Sequence, residues 1–439
     1  MTIDIILSLS FVFASMVPAY FLGCFNFRIL NYYTILFWLP ILFCLIGAFI
    51  IRSGVIDNSF FIYPIKDNLE EKKLALLLTS LSFCLMIYSA WWTEVLYSFC
   101  LKKKSTLRVN WILYINNSIY GSKKFTTICL WTLTLSAVIY YIYSITPSPL
   151  YLAFVGSSAT EIALRRIEIT RDYGGIGYIK TLALTLPFIL TYYSICEFAD
   201  KKNKNRFIFV CLAMLISVIT IVLNGEKAPL VFYLLGIIIT VSLIKPISAK
   251  TLLSLLIIVL SVIILLYFVF FDFTQISYLF YIMVERIFIA QEAAMFYATV
   301  YFSSHDYIGI SSISNIFTKL LSIEATPRAS EIFMKEYLPS MLDNGGWNVN
   351  GYYAHEAYSN FGIIGVILGS IYAGIINALI CIFFRGGNRN SLTVAFFIFF
   401  TISITTVLTS FNYMLFNTQL ILLFIIYLIL TSINKTRLR

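Results

Sequence analysis

The sequence predicts an all-α, polytopic transmembrane helical bundle, and two observations carry that reading. Apolar side chains make up 60% of the 439 residues and charged ones only 12%, about half the share usual in soluble domains, with a mean hydropathy of +0.88. Uninterrupted apolar runs then recur, for example Phe207 to Leu223, Leu252 to Phe271 and Ser391 to Ser410. Each approaches the roughly 20 residues that cross a ~30 Å hydrocarbon layer at 1.5 Å per residue.

Read in order, about eleven spans (ten to fourteen) are predicted, at residues 3–22, 33–51, 74–92, 125–145, 178–197, 207–223, 229–245, 251–271, 358–384, 391–410 and 417–432. Together they form a single integral membrane domain over 1–439. The first run opens on Met1-Thr2-Ile3-Asp4, with no basic region and no small-residue cleavage pattern, so a retained spanning helix is expected. Connecting segments alternate between basic and mixed or acidic. Lys102, Lys103, Lys104, Arg108, Lys123, Lys124, Lys201, Lys202, Lys204, Arg206, Lys245, Lys250, Arg385, Arg389, Lys435, Arg437 and Arg439 fall in one set, and almost every acid falls in the other. The bias of Lys and Arg toward cytoplasmic loops places the N-terminus outside and the C-terminus inside. The net charge of +10 is therefore read as a topology signal rather than a nucleic-acid footprint.

Eight cysteines lie in or at the ends of apolar runs without CxxC spacing, so they read as small packing residues and not as disulfides or a metal cluster. No repeat of fixed period, metal-ligand spacing, phosphate loop, nucleophile elbow or dinucleotide fingerprint is present. Six spans carry no charged residue away from their ends, which argues against a proton relay at the bilayer midplane, and broken helices are not evident. Chemistry is instead expected in two long exterior segments, 146–177 and 272–357, the second with amphipathic stretches at 311–321 and 329–338.

Four clusters stand out. The run from Glu161 to Gly177 holds Arg165, Arg166 and Arg171 with Gly174, Gly175 and Gly177. Arginine forks suit phosphate oxygens and glycines allow close backbone approach, although Glu161, Glu168 and Asp172 are equally placed to pair with the arginines. Lys227 stands in a tight turn at 224–229, where snorkelling competes with ligand binding. Glu285 and Arg286 lie in apolar surroundings, as a binding element or a structural pair, with Gln291 and Glu292 close behind. Finally, Trp347, Tyr352, Tyr353, His355, Glu356 and Tyr358 lead into a glycine-rich span. A histidine beside a carboxylate is suited to general base chemistry, and the aromatics to sugar stacking or a membrane-interface belt. His305 lacks such company and is read as structural.

With these motifs in this order, the chain resembles the Wzy-type O-antigen polymerases, the oligosaccharide repeat-unit polymerases of the O-antigen ligase/polymerase superfamily. The resemblance covers nearly the whole chain and rests on the span count, the two exterior segments, Arg166 to Gly177 as R-x10-G, and His355 to Gly365 as H-x9-G. Lys227 stands where the family usually has arginine. It implies two periplasmic loops in a protein of the bacterial inner membrane. The activity implied is metal-independent glycosyl transfer, moving the growing glycan from undecaprenyl pyrophosphate to the next lipid-linked unit. The roles it implies are catalytic for His355, Glu356 and Arg166. Substrate binding would fall to Arg165, Arg171, Gly174, Gly175, Gly177, Lys227, Arg286, Arg328, Trp347 and Tyr352. Implied partners are an undecaprenyl-pyrophosphate-linked oligosaccharide, membrane lipids and, optionally, a chain-length regulator protein; no nucleic acid, metal or cofactor is implied. An O-antigen ligase and a lipid-linked oligosaccharide flippase are the alternatives.

Overall fold

The computed structural model describes residues 3–100, 109, 111, 114, 119, 121–171, 173–223, 228–270, 281–343 and 348–435. It is 78% helical, with no strands among the described residues, and forms an all-α helical bundle of a multi-pass membrane protein. Every predicted span coincides with a helix. Those helices are α1 (Ile3–Leu22), α2 (Tyr32–Ser53), α3 (Leu69–Cys100), α4 (Lys124–Ser144), α7 (Gly177–Asp200), α8 (Lys204–Leu223), α9 (Ala228–Ile244), α10 (Ala249–Phe270), α15 (Ala354–Gly386), α16 (Ser391–Val407) and α18 (Thr418–Lys435). Eight candidate spans among the described residues are long and apolar enough to cross a membrane, and α9 and part of α16 are shorter apolar helices. Outward-facing Ile3, Ile6, Phe13 and Val17 on α1 leave an apolar surface suited to lipid.

Of the two long connecting segments, the first (146–177) holds two short helices, α5 (Pro149–Val155) and α6 (Ala159–Arg171). The second holds α11 (Ala293–Tyr301), α12 (Asn315–Leu321), α13 (Ala329–Tyr337) and α14 (Pro339–Asp343), and α17 (Phe411–Leu415) precedes α18.

Local rules explain the boundaries. Asn31 caps α2 by accepting from Tyr33 N and Thr34 N, with Thr34 completing a capping box. Glu70 and Glu71 sit in the first turn of α3, where carboxylates favour the helix dipole. Gly54 ends α2 in the left-handed conformation at φ 75°. α3 and α15 run 32 and 33 residues, beyond the predicted 74–92 and 358–384 because their charged or polar first turns extend past the apolar run.

These two long helices form the central pair of the bundle. Small residues make this possible: a Cβ on Gly374 would lie 2.2 Å from Met86 O and 2.8 Å from Ala90 N. Hydrogen bonds sort the connections into two ends. Arg52 to Asp4, Ser59 to Glu285, Thr299 to Glu71 O and Tyr353 N to Leu408 O mark one end. Ile247 N to Arg28 O, Lys123 N to Asn434 and Ser122 N to Glu197 mark the other.

α15 departs from the sequence expectation of unbroken spans. Phe361 and Gly362 leave helical geometry, Gly362 at φ 63° and ψ −151°, a region essentially confined to glycine. The break frees the carbonyls of Ser359 and Asn360, which accept from Ile308 N at 2.9 Å and Gly309 N at 3.0 Å. A second irregularity, the π turn Ile41–Leu45 within α2, faces another at Glu285–Ile289.

Candidate functional site

The richest polar cluster lies where the second long connecting segment enters α15. Gly351 lets the loop lie against α11, since a Cβ there would come 2.8 Å from Ala294 Cβ, and Ala294 N donates to Asn350 O at 2.9 Å. Tyr353 N donates to Leu408 O at 2.8 Å, which seats the start of α15 against the end of α16. On the first turn His355 is 1% exposed and Glu356 2%. His355 Nδ1 lies 2.7 Å from Tyr352 O. A carbonyl oxygen only accepts, so Nδ1 carries the proton and Nε2 of the neutral ring is a bare acceptor. That Nε2 is enclosed, with no hydrogen-bond partner among the described residues.

Glu356 points to the other side of the turn. Its Oε2 accepts from Ser410 Oγ at 2.5 Å and Asn412 N at 3.0 Å. Around it, Ser312 Oγ donates to Asn360 Oδ1, Asn360 Nδ2 to Asn412 Oδ1, and Asn412 Nδ2 to Ser312 O, each at 3.0 Å. This closed ring ties the loop at Ser312 to the break in α15 and to α17. Arg328, half-buried at the start of α13, stacks 4.4 Å from the Tyr413 ring centroid. Burial works against its charge, but Tyr413, Glu356 and Glu331 outweigh burial and raise its pKa.

The Glu285–Arg286 pair does not close on itself. Glu285 Oε1 accepts from Ser59 Oγ at 2.5 Å, whereas the exposed Arg286 guanidinium lies 5.4 Å from the Phe61 ring centroid. Seven residues past Glu285, Glu292 is fully buried and accepts from Thr79 Oγ1 at 2.7 Å and Tyr352 N at 3.1 Å. Burial pushes its carboxyl pKa up to about 8 against the opposing donors Thr79, Tyr352 N and Cys44. Gly47 admits this arrangement, because a Cβ there would stand 2.2 Å from Phe288 O.

The arginine-rich segment forms α6 and sits apart from this cluster. Arg165 spends its guanidinium on Glu168 at 2.6 Å and on Pro147 O at 3.0 Å, so it staples α6 to the end of α4. Lys180 donates to Ile169 O at 2.7 Å and Thr170 O at 2.8 Å, closing the C-terminal end of α6. Arg166 is exposed, and its guanidinium has no hydrogen bond or ion pair among the described residues. Gly174 and Gly177 border open space, while Gly175 packs on the Tyr173 ring. Among the described residues, no hydrogen bond, ion pair or ring contact joins α6 to the His355 cluster. The side chain of Arg171, and Lys227 and Trp347 altogether, lie outside the described residues.

The expected stacking role of Tyr352 meets a different geometry. The side chain is 1% exposed, with its OH 3.5 Å from Met86 Sδ on α3, so its faces are turned into the core. His305 is exposed and stacks on Tyr301 at 4.0 Å.

At the opposite end the sequence reading missed a buried ion pair. Glu94 on α3 is 3% exposed; it accepts from Arg385 at 2.5 Å and from Tyr33 OH at 2.6 Å. The available signal was a lone acid and a lone arginine near the ends of two long apolar runs. No family model, curated protein or solved structure matches the chain.

Proposed function

We propose that this chain is a Wzy-type polymerase, which joins lipid-linked polysaccharide repeat units at the periplasmic face of the bacterial inner membrane. The observation that carries the reading is His355, whose Nδ1 is committed to a carbonyl and whose enclosed Nε2 is free to accept a proton, one residue from Glu356. It lies at the end of the bundle that carries most of the acids, the end the Lys and Arg bias places outside. The N-terminus is then periplasmic and the C-terminus cytoplasmic.

The acceptor is the terminal sugar hydroxyl of an incoming lipid-linked unit. Its oxygen attacks the anomeric carbon of the donor glycan, and the bond from that carbon to pyrophosphate breaks. The electron pair leaves with the pyrophosphate and the hydroxyl proton passes to His355 Nε2. Pyrophosphate departs as a stabilised anion, so cationic forks suffice to hold its charge. The exposed Arg166 and Arg286 and the half-buried Arg328 are the candidates, with Arg171 and Lys227 behind them. Arg165 is assigned to holding α6. Glu356, held by Ser410 and Asn412, orients the first turn of α15 and faces Arg328 electrostatically.

The break at Phe361–Gly362 favours a second reading, a lipid-linked oligosaccharide flippase, since carriers build substrate sites on discontinuous helices. A ligase would use similar chemistry on a different acceptor. One experiment separates all three: lipopolysaccharide banding from a deletion strain complemented with wild type, Arg166→Ala or His355→Ala, membrane expression being verified. Polymerase predicts that the deletion strain carries core plus a single repeat and that only wild type restores the ladder. Loss of all O-antigen on deletion indicates ligase or flippase, which accumulation of the lipid-linked unit on the periplasmic or cytoplasmic face distinguishes. A ladder that survives deletion overturns the reading.

A further inference from the structure

Glu292 has no part in the chemistry above, yet it is a fully buried carboxyl whose hydrogen bonds lead to His355 through two peptide groups. The loop residue between them is clamped on both sides. Tyr352 N donates to Glu292 Oε2 at 3.1 Å, and Tyr352 O accepts from His355 N at 2.9 Å and from Nδ1 at 2.7 Å. The same peptide plane that offers Tyr352 O is held at its other edge, where Tyr353 N donates to Leu408 O at 2.8 Å. Glu292 is itself anchored from the neighbouring elements, by Thr79 Oγ1 on α3 at 2.7 Å and by Cys44 in the π turn of α2. It directly precedes α11, which Thr299 Oγ1 bonds to Glu71 O and Tyr297 OH to Phe61 O.

The geometry points to Glu292 as a positioning residue, which fixes the Tyr352 backbone so that its carbonyl holds His355 in the Nδ1-protonated tautomer with Nε2 open as the proton acceptor. A free histidine ring can place its single proton on either nitrogen, so without an imposed acceptor at Nδ1 the catalytic lone pair would not be guaranteed. A backbone carbonyl is an acceptor that cannot be titrated away, and its aim depends on how firmly the loop is held. Tyr352 and Tyr353 precede the helix, and their N–H groups are bonded outside it, to Glu292 Oε2 and Leu408 O. Glu292 supplies the restraint at Tyr352 N from a different element, beside the one that Leu408 O supplies at Tyr353 N. The inference rests on the reading of His355 as the base.

The chain contains two histidines, so selective ring 15N labelling yields two sets of resonances, and His305→Gln assigns them. The protein is examined in lipid nanodiscs. The wild type should show His355 protonated at Nδ1. Glu292→Gln, whose amide oxygen still accepts from Tyr352 N and whose NH2 can donate to Thr79 Oγ1 where the carboxyl accepted from it, should preserve that tautomer. Glu292→Ala and, more mildly, Thr79→Val should shift His355 toward the Nε2-protonated form. In parallel, lipid-linked repeat units extracted from the deletion strain are polymerised by each variant. Loss of alignment at the base should lower the maximal rate of Glu292→Ala about 100-fold, with half-saturation unchanged and Glu292→Gln near wild type. An Nε2-protonated His355 in the wild type, or an unchanged tautomer in a folded Glu292→Ala, overturns the inference. If the tautomer shifts as expected but no variant, wild type included, polymerises the units, the coupling of Glu292 to His355 stands and the polymerase reading fails.

Discussion

Gly374→Ala tests the packing on which the bundle is built. The added methyl would lie 2.0 Å from Ser89 Oγ, 2.2 Å from Met86 O and 2.8 Å from Ala90 N. Ser89 can rotate its hydroxyl away, but two of the three obstacles are backbone atoms of α3 and cannot. Ordinary contact begins near 3.4 Å, so α15 must retreat from α3 by about 1.2 Å, the gap between that distance and the contact with Met86 O. Tyr353 OH reaches Ser82 O across the same seam at 3.2 Å, and the retreat carries it beyond hydrogen-bonding range. Overpacking of a rigid contact costs about 3 kcal/mol and the lost bond about 1 kcal/mol, for a destabilisation of ~4 kcal/mol. Thermal unfolding of the detergent-solubilised protein should fall by about 5 °C or more. Gly386→Ala on the same helix is the comparison, because its nearest neighbour stands at 3.7 Å and the change should be small. A Gly374→Ala protein that melts together with Gly386→Ala would refute the close approach of α3 and α15.

Three further outcomes are expected. Glu94→Ala leaves Arg385 and Tyr33 enclosed without their carboxylate and should destabilise by about 3 kcal/mol; Glu94→Ala with Arg385→Ala should recover part of that loss in the same melting assay. Gly362→Ala forces a methyl into a glycine-only conformation and to within 2.8 Å of the Tyr307 ring, for a cost of about 2 kcal/mol or more, which limited proteolysis of the 302–313 loop should report as faster cleavage. Glu292, faced by Cys44, Thr79 and Tyr352, stays protonated in the fold up to about pH 8 although the unfolded chain ionises it near its ordinary value of 4.5. Between those values the folded state holds the extra proton, so its contribution to stability declines as pH rises from 4.5 to about 8 and then levels off. Melting temperature against pH should show a shallower decline in Glu292→Gln, and identical slopes would refute the assignment.

Much of the architecture was legible because spanning a membrane is a local demand. A backbone that crosses hydrocarbon must satisfy its own hydrogen bonds, so apolar run length located a helix at each predicted span, and eight candidate spans among the described residues are long and apolar enough to cross. The span endings were harder: Glu70 and Glu71 at the start of α3 and His355 and Glu356 at the start of α15 are helical residues that polarity placed in loops. The break at Phe361–Gly362 was not visible either. Glycine is also required for packing, at Gly374 for instance, and one letter does not tell which role applies.

Composition and order, then, determined the helical membrane class, the spans and the identity of the chemically capable residues. The tertiary structure alone decided which of them meet. Arg165 and Arg166 are adjacent in sequence, yet one is consumed by the carbonyl of Pro147 and the other is exposed, because successive helical residues point about 100° apart. Glu285 and Arg286 diverge for the same kind of reason, on a π turn. Glu292 and Tyr352, or Glu94 and Arg385, come together over 60 and 291 positions. Such pairings follow from how whole helices pack, which depends on small residues and buried polar groups at many sites at once, so a local signal such as a lone acid in an apolar run does not name its partner.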